Sequence, residues 1–311
     1  MPVTWDEEID GILGGDLTAG LAYLTPAGGS VVAAVAPVGL RDRDAGSVTF
    51  TTSLGFRRKL DRLRAEPRVA LAYHARDHGF SDSPRYVLVQ GRARFDEEPD
   101  QAFLRDVVGP ASARFMGPPK EGRFWDWLLR EYYATRVGVH VDVERIVSWP
   151  DLECRGEPEV LGAPRPDAPP EPQAVPKKGA GPRVDVGKAA RKLEPHPHRL
   201  IAWRDADGYP LVLPFAPAGH DAAGLRLDVP GGSPPGGRRA GLVAHRYNPK
   251  LIGLSTRQHT GWLEGDTYAP HTEAGFRAPG NKTLLLIANG LQAKLGVRRD
   301  LKAQGSRRRR T

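Results

Sequence analysis

Residues 47–73 read SVTFTTSLGFRRKLDRLRAEPRVALAY, and the fold turns on how they are parsed. Residues 47–52 are β-branched and aromatic, the composition of a strand. Ser53, Leu54, Gly55 and Phe56 make a short loop, and Arg57, Arg58 and Lys59 follow at once. Leu60 and Leu63 share one helical face with charges opposite, so a short amphipathic helix is expected there. Pro67 stops it, and Val69 opens a second strand. A strand ending in hydroxyls, a glycine turn and cations at a helix N-terminus together form an anion seat. Backbone N–H groups, the positive end of the helix dipole and guanidinium donors can converge there on one phosphate.

The chain around this stretch has 311 residues, room for two domains of ordinary size. Hydrophobic residues make up 40% and charged residues 26%, a globular balance. No apolar run approaches the ~18 residues of a membrane span. The opening MPVTWDEEID is acidic and lacks the apolar centre of a signal peptide. The lone cysteine, Cys154, excludes an intrachain disulfide and a cysteine-rich metal cage. A cytoplasmic protein with no membrane partner is expected. The formal charge of +8 resides partly in the terminal run 307–310 and partly in Lys177, Lys178, Arg183, Lys188, Arg191 and Lys192. Such charge solubilises more often than it recognises, so no specific nucleic-acid partner is expected.

Upstream, residues 4–14 read as a short helix with Thr4 as its N-cap and Ile9, Ile12 and Leu13 on one face. Residues 21–24 and 30–38 are strands about a turn. Downstream, residues 86–95 alternate like a barrel strand, with Gly91 marking a bend or bulge. Residues 102–108 and 124–133 are helical, and 135–149 contain a closing strand. The Pro-rich stretch 155–198 has almost nothing to bury and reads as a mobile linker. Beyond it, strands at 199–203, 209–215 and 225–229 repeat the grammar of the first half. Arg238 and Arg239 then stand for Arg57 and Arg58, and Asn248, Pro249 and Lys250 for Glu66, Pro67 and Arg68, ahead of a strand at 251–257. An internal duplication is expected. The fold class is mainly β (α+β): two split β-barrels in tandem, residues 1–154 and 199–300, joined by the linker 155–198. A helix-capable segment, 284–297, and a basic tail, 301–311, follow.

The anchor stretch resembles the pyridoxamine 5′-phosphate oxidase-like split β-barrel family, which includes flavin- and deazaflavin-dependent oxidoreductases. The resemblance rests on Thr51, Thr52 and Ser53, on Arg58 and Lys59, on Glu66, Pro67, Arg68 and Val69, and on residues 85–91 with their glycine. It implies that Arg57, Arg58 and Lys59 bind the phosphate of FMN and that Thr51, Thr52 and Ser53 bond phosphate or ribityl oxygens. It also implies that Val35, Pro37 and Val38 lay their backbone along the flavin ring, and that Tyr86 stands where the oxidases carry a glutamine. F420 is the alternative cofactor, whose longer acidic tail would suit Arg41, Arg43, Arg57, Arg62 and Arg64. A non-enzymatic flavin or haem carrier is a third reading. In this family the site lies at a homodimer interface. The second barrel is therefore expected to act as an internal partner, contributing Trp203 or Trp262, in a monomeric pseudo-dimer or a homodimer acting on a small molecule. The second seat is expected to be empty.

No metal site is expected. His74 and His78 are four apart but sit with Arg76, Asp77 and Gly79 in a loop sequence, and His196 and His198 fall in the linker. His245, His259 and His271 form no ligand pattern. No Ser-His-Asp, paired-carboxylate or phosphate-loop motif stands out, and no catalytic acid or base is singled out. Flavin chemistry needs none, because the cofactor carries the hydride.

Overall fold

In the computed structural model the described residues are 2–118, 120, 122–281, 283, 284 and 287. The basic tail and most of the expected segment 284–297 lie outside them. Helix α1 (Glu7–Gly15) opens the chain, and its N-cap is Asp6, not Thr4: the Asp6 carboxylate accepts from the Ile9 N–H at 2.8 Å. Aspartate also suits the positive helix end better than threonine. Then come β1 (Thr18–Leu24), β2 (Ser30–Val35), β3 (Arg41–Asp42), β4 (Ser47–Ser53), α2 (Arg57–Ala65), β5 (Arg68–Ala75) and β6 (Tyr86–Phe95). Helix α3 (Gln101–Phe103) runs through a π-turn into α4 (Gly109–Met116), and α5 (Arg123–Ala134) leads into the long β7 (Arg136–Trp149).

The stretch expected to be a linker carries structure of its own. Strand β8 (Glu159–Gly162) pairs with β7, and α6 (Val186–Leu193) buries Val186, Ala189 and Leu193. Asp185 caps α6 through a bond to the Lys188 N–H. Three apolar residues at i, i+3 and i+7 were enough to dock a helix that the surrounding prolines concealed. The second half continues with β9 (His198–Arg204), β10 (Pro210–Pro214), β11 (Ala216–His220), β12 (Leu225–Asp228), β13 (Arg238–Arg246), β14 (Ser255–Glu264) and β15 (Thr267–Arg277).

Two antiparallel sheets result. The first has the order β2-β1-β5-β6-β7-β4-β3, with β8 added on β7, and the second the order β10-β9-β13-β14-β15-β12-β11. Subtracting eight from each strand number of the second gives the first. The chain thus forms the expected tandem of split β-barrels, and α6 stands before β9 as α1 stands before β1. The correspondence extends to single residues. In the first half Ala70 pairs with Ala22 and Gln90; in the second, Gly241 pairs with Ala202 and Thr260. The next residue along is a glycine at a register shift in both, Gly91 in β6 and Gly261 in β14. A Cβ on either would lie 2.2 Å from a main-chain oxygen, that of Asp142 or of Ala269. Only glycine fits such a bulge.

This register corrects the expected alignment of the halves. The strand equivalent to β5 is β13, so Arg239 matches Arg68, and the Asn248-Pro249-Lys250 stretch has no part in the repeat. It forms a 3₁₀ turn, and β14 starts only at Ser255.

The halves pack through β1, β2 and β5 against β9, β10 and β13. Ala22, Val32, Ala70 and Leu88 join Leu200, Val212, Leu242 and Ala244 in one buried cluster across the join. The first barrel encloses a separate core of Leu21, Phe50, Leu63, Leu71 and Val139. The contacts are reciprocal, as in an isologous dimer. Arg68 donates to the Asp207 carbonyl at 3.0 Å in the β9–β10 turn, while its equivalent Arg239 packs against Gly29 in the β1–β2 turn. Equivalent residues meet on the pseudo-twofold axis: Gly20 faces Leu200, whose Cδ1 would lie 2.3 Å from an added Cβ. Among the described residues no helix is long and apolar enough to cross a membrane.

Candidate functional site: an anion seat on the first barrel

Strand alternation puts Thr51 and Ser53 on one face of β4 and Thr52 on the other. Thr51 and Ser53 are half-buried, whereas Thr52 is buried and its hydroxyl has no partner among the described residues. Ser53 folds the loop that follows. Its Oγ accepts from the Gly55 N–H at 3.1 Å and its carbonyl from the Phe56 N–H at 3.0 Å. The Leu54 N–H donates to the Thr135 carbonyl at 2.8 Å, which ties the loop to the start of β7.

Helix α2 then begins without a side-chain cap, on Phe56, and with no acidic residue in its first turn. That turn is Arg57, Arg58 and Lys59. Cations at a helix N-terminus oppose the dipole by roughly 0.3–1 kcal/mol each, so they lower helix stability unless an anion joins them. Leu63, buried in the first core, and Leu60, also buried, hold the helix in place regardless. Arg57 and Arg58 are exposed and Lys59 is half-buried. Lys59 Nζ lies 4.9 Å from the Phe56 ring centroid. Burial, with Arg136 repelling it, pushes the Lys59 ammonium down to about 8.

Arg136 is the seat residue that the sequence did not single out. Ser53 pairs with Arg136 across β4 and β7, and Arg136 Nε donates to Thr51 Oγ1 at 3.2 Å. Its only sequence signal is its place at the start of the closing strand, legible once β7 is known to pair with β4. Further along the same face, Thr49 Oγ1 lies 3.0 Å from His140 Nδ1.

The other expected residues divide. The Leu40 N–H bonds the Pro37 carbonyl at 3.1 Å, and Leu40 itself receives the Thr49 N–H at 2.8 Å, so the turn after β2 lies beside β4. Val38 adopts φ +48° and is buried with Val108 and Phe115 of the helical segment. Pro37 is buried and Val35 half-buried against the first core. Tyr86 is elsewhere. It is fully buried in the join, donates to the Val212 carbonyl at 2.8 Å and meets Trp149 edge-on at 5.6 Å. Trp203 is buried in the second half's cluster, and Trp262 lies against Gly237 and bonds Glu264. Most of the cations invoked for a longer acidic tail have carboxylate partners: Arg41 pairs with Asp10, Arg43 with Glu7 and Arg64 with Glu97. Arg62 lies over the Tyr23 ring.

The second half carries different residues at the equivalent positions. Val48 and Leu225 occupy the same register position, so Asp228, Val229 and Pro230 stand where Thr51, Thr52 and Ser53 stand in the first half. A carboxylate replaces a hydroxyl, and in place of α2 runs the non-helical GGSPPGG of residues 231–237. A cleft of about 830 Å³ borders this loop, lined also by Trp149, Arg155, Arg165 and Trp203, away from the first-half seat.

No family model and no curated protein matches the chain. Solved structures do, each over about half of it. A conserved hypothetical protein from Mycobacterium tuberculosis is 24% identical over 50% of this chain and 91% of its own, with a TM-score of 0.36. A protein described as an F420 reductase is 22% identical over 44% of this chain and 94% of its own, with a TM-score of 0.32. A pyridoxamine 5′-phosphate oxidase-related, FMN-binding protein from Nostoc punctiforme is 14% identical over 49% of this chain and 82% of its own, with a TM-score of 0.31.

Proposed function

We propose that the first barrel binds the phosphate of a flavin cofactor, FMN in the first place, and that the chain is an oxidoreductase acting on a small molecule. The observation that carries this reading is the first turn of α2: three cations in sequence, with no side-chain cap and no acidic residue within the turn itself, beside the hydroxyls of Thr51 and Ser53 and the guanidinium of Arg136. This donor set suits a phosphate monoester, which would offset both the dipole and the crowded positive charge. Arg57, Arg58, Lys59 and Arg136 would hold the phosphate, and Thr51 and Ser53 would bond its oxygens. The cofactor supplies hydride transfer when bound; the chain supplies position and electrostatics.

F420 is the second reading. It is less favoured because Arg41, Arg43 and Arg64 are committed to Asp10, Glu7 and Glu97. The shared strand order and matched glycine bulges are read as an internal duplication of a dimer-forming barrel, working as a single-chain pseudo-dimer. Asp228 and the missing helix argue for one cofactor per chain.

The test is an absorbance and fluorescence titration with FMN and with F420, on the wild type and on Arg58→Ala/Lys59→Ala. Loss of a charge-assisted contact should cost at least ~1.5 kcal/mol, about tenfold in affinity. Binding of neither cofactor overturns the oxidoreductase reading, and a Soret band on purification would favour a haem carrier.

A further inference from the structure

Strands β5 and β13 are equivalent, and histidines at the same position of each meet across the join. His74 Nε2 and His245 Nε2 lie 2.8 Å apart, and both residues are buried. Two imidazole nitrogens at that distance share one hydrogen, so one donates and the other accepts. His74 Nδ1 lies 2.9 Å from the Ala72 carbonyl. A carbonyl only accepts, so Nδ1 carries hydrogen and Nε2 of the neutral ring is the acceptor. His245 therefore donates from Nε2. Its Nδ1 is left with a lone pair, buried and without a partner among the described residues.

A proton added to His74 would set two N–H donors against each other. A proton added to His245 Nδ1 would place a buried charge where no acceptor stands. Either change costs free energy only while the halves are joined, because separation lets water solvate both rings.

The surroundings offer little relief. From β9, His198 faces both rings, its centroid 6.0 Å from His74 and 5.1 Å from His245. Its Nε2 already donates to Asp77 Oδ2 at 3.0 Å. Tyr247 stacks on His245 at 5.8 Å and on His198 at 5.5 Å. Arg76, beyond His74 on the same chain, is paired with buried Asp16. His78 lies against Tyr247, and His196 bonds Ser255 at 2.9 Å. The rings are turned into these bonds and do not converge on one point; among the described residues no group of three or more His, Cys, Asp or Glu is arranged to hold a metal ion.

We propose that His74 and His245 form a proton-sensitive clasp between the two halves, closed while both rings are neutral and released by acid. This inference is independent of the cofactor reading. Burial pushes His74 down to about 3 and His245 well below the usual histidine range. Between those values and the unfolded value near 6.5, the unfolded chain binds more protons, so stability falls as pH falls. Asp16 acts in the opposite direction. Burial raises its carboxyl to about 8 against the pull of Arg76, so its contribution grows as pH drops from 8 towards 4. The clasp is therefore read from a difference between variants and not from a single curve.

His245→Gln keeps an N–H donor in the place of Nε2 and cannot take up a proton. Urea unfolding of the full chain and of this variant is measured from pH 8 to pH 4.5. The ratio of their unfolding constants should grow by about tenfold for each pH unit below 6, the signature of one proton. Parallel profiles would overturn the proposal. Should the variant fail to fold, long-range ¹⁵N correlation spectra of the wild type decide. The expected pattern is His74 hydrogen-bearing at Nδ1 and His245 at Nε2, both neutral at pH 7 and still neutral at pH 5. An imidazolium on either ring at pH 7, or reversed tautomers, would refute it.

Discussion

Exchanging the two residues that meet on the pseudo-twofold axis tests the architecture directly. Gly20 and Leu200 are register equivalents, and the Leu200 side chain occupies the space that a Gly20 side chain would need, 2.3 Å from its Cβ position. The other neighbours of that Cβ, Ala72 Cβ at 3.6 Å and His74 Cε1 at 3.8 Å, are at ordinary contact distances. Gly20→Leu alone forces two leucines into the volume of one, an overpacking of about 1–3 kcal/mol or more. Leu200→Gly alone removes a fully buried leucine. Cavity formation costs about 2.7–5 kcal/mol and the added strand glycine about 0.5–1 kcal/mol more. If the sites were independent, the pair would lose roughly 6 kcal/mol, comparable with the whole stability of many domains. In the double exchange the new leucine enters the space that Leu200 vacated, from the opposite side of the axis. It should recover to within about 2 kcal/mol of the wild type, which implies a coupling of roughly 4 kcal/mol or more. Urea denaturation with an unchanged m-value is the assay. A double variant as unstable as the summed singles would show that the two halves are not related by this axis at this contact.

The bulge glycines give a matched pair: Gly91→Ala and Gly261→Ala each drive a Cβ to 2.2 Å from backbone oxygen. Each should cost about 2–4 kcal/mol by thermal or urea unfolding, with similar losses in the two halves. Arg145 is buried and bonds Gln90 Oε1 at 2.6 Å, the Pro164 carbonyl at 2.5 Å and Asp207 Oδ2 at 2.6 Å. Arg145→Ala strands all three acceptors, and a loss of about 3 kcal/mol is expected in the same assay. Lys59 is an ammonium below about 8. FMN affinity should therefore fall as pH rises through 8, by up to tenfold per unit, and Lys59→Arg should flatten that dependence in fluorescence titrations between pH 6.5 and 9.5.

The local chemistry of residues 47–73 was legible because each boundary has a local cause. Pro67 cannot continue a helix, Leu60 and Leu63 mark its buried face, and β-branched residues fill the strands on either side. Gly91 was legible as a bulge for the same reason. What escaped depends on pairing between distant segments. Arg136 reaches Thr51 only because β7 lies beside β4, and Tyr86 is taken by Val212, a partner far along the chain in the other half. The tandem of barrels was legible, but the two halves were aligned one strand out of phase, because the x-Pro-basic pattern around Pro249 imitates that around Pro67. Strand order and register break that ambiguity, and composition does not. The Pro-rich stretch misled in the opposite direction. Its prolines suggested mobility, yet Gln173 within it donates to the Gly28 carbonyl at 2.9 Å and accepts from the Arg239 N–H at 3.0 Å. It bridges the two halves.

Covalent linkage changes what each half is free to become. In a homodimer a residue on the twofold axis must meet its own copy, so glycine against leucine is impossible there: both would be glycine, leaving a hole, or both leucine, colliding. One chain carrying both halves removes that constraint, and Gly20 against Leu200 is an arrangement that a homodimer of either half could not adopt. The same freedom accounts for the seats. Under the duplication proposed above, a second half freed from repeating the first could carry Asp228 in place of the hydroxyl of Thr51 and a glycine-proline loop in place of α2, leaving the proposed seat on the first half intact. His74 and His245 are the exception, like residues still meeting on the axis. Two imidazoles can satisfy each other there only by choosing different tautomers, so even this symmetric pair is asymmetric in its hydrogens. The join thus combines a contact that two copies of one half could also make, the histidine pair, with one that they could not, Gly20 against Leu200.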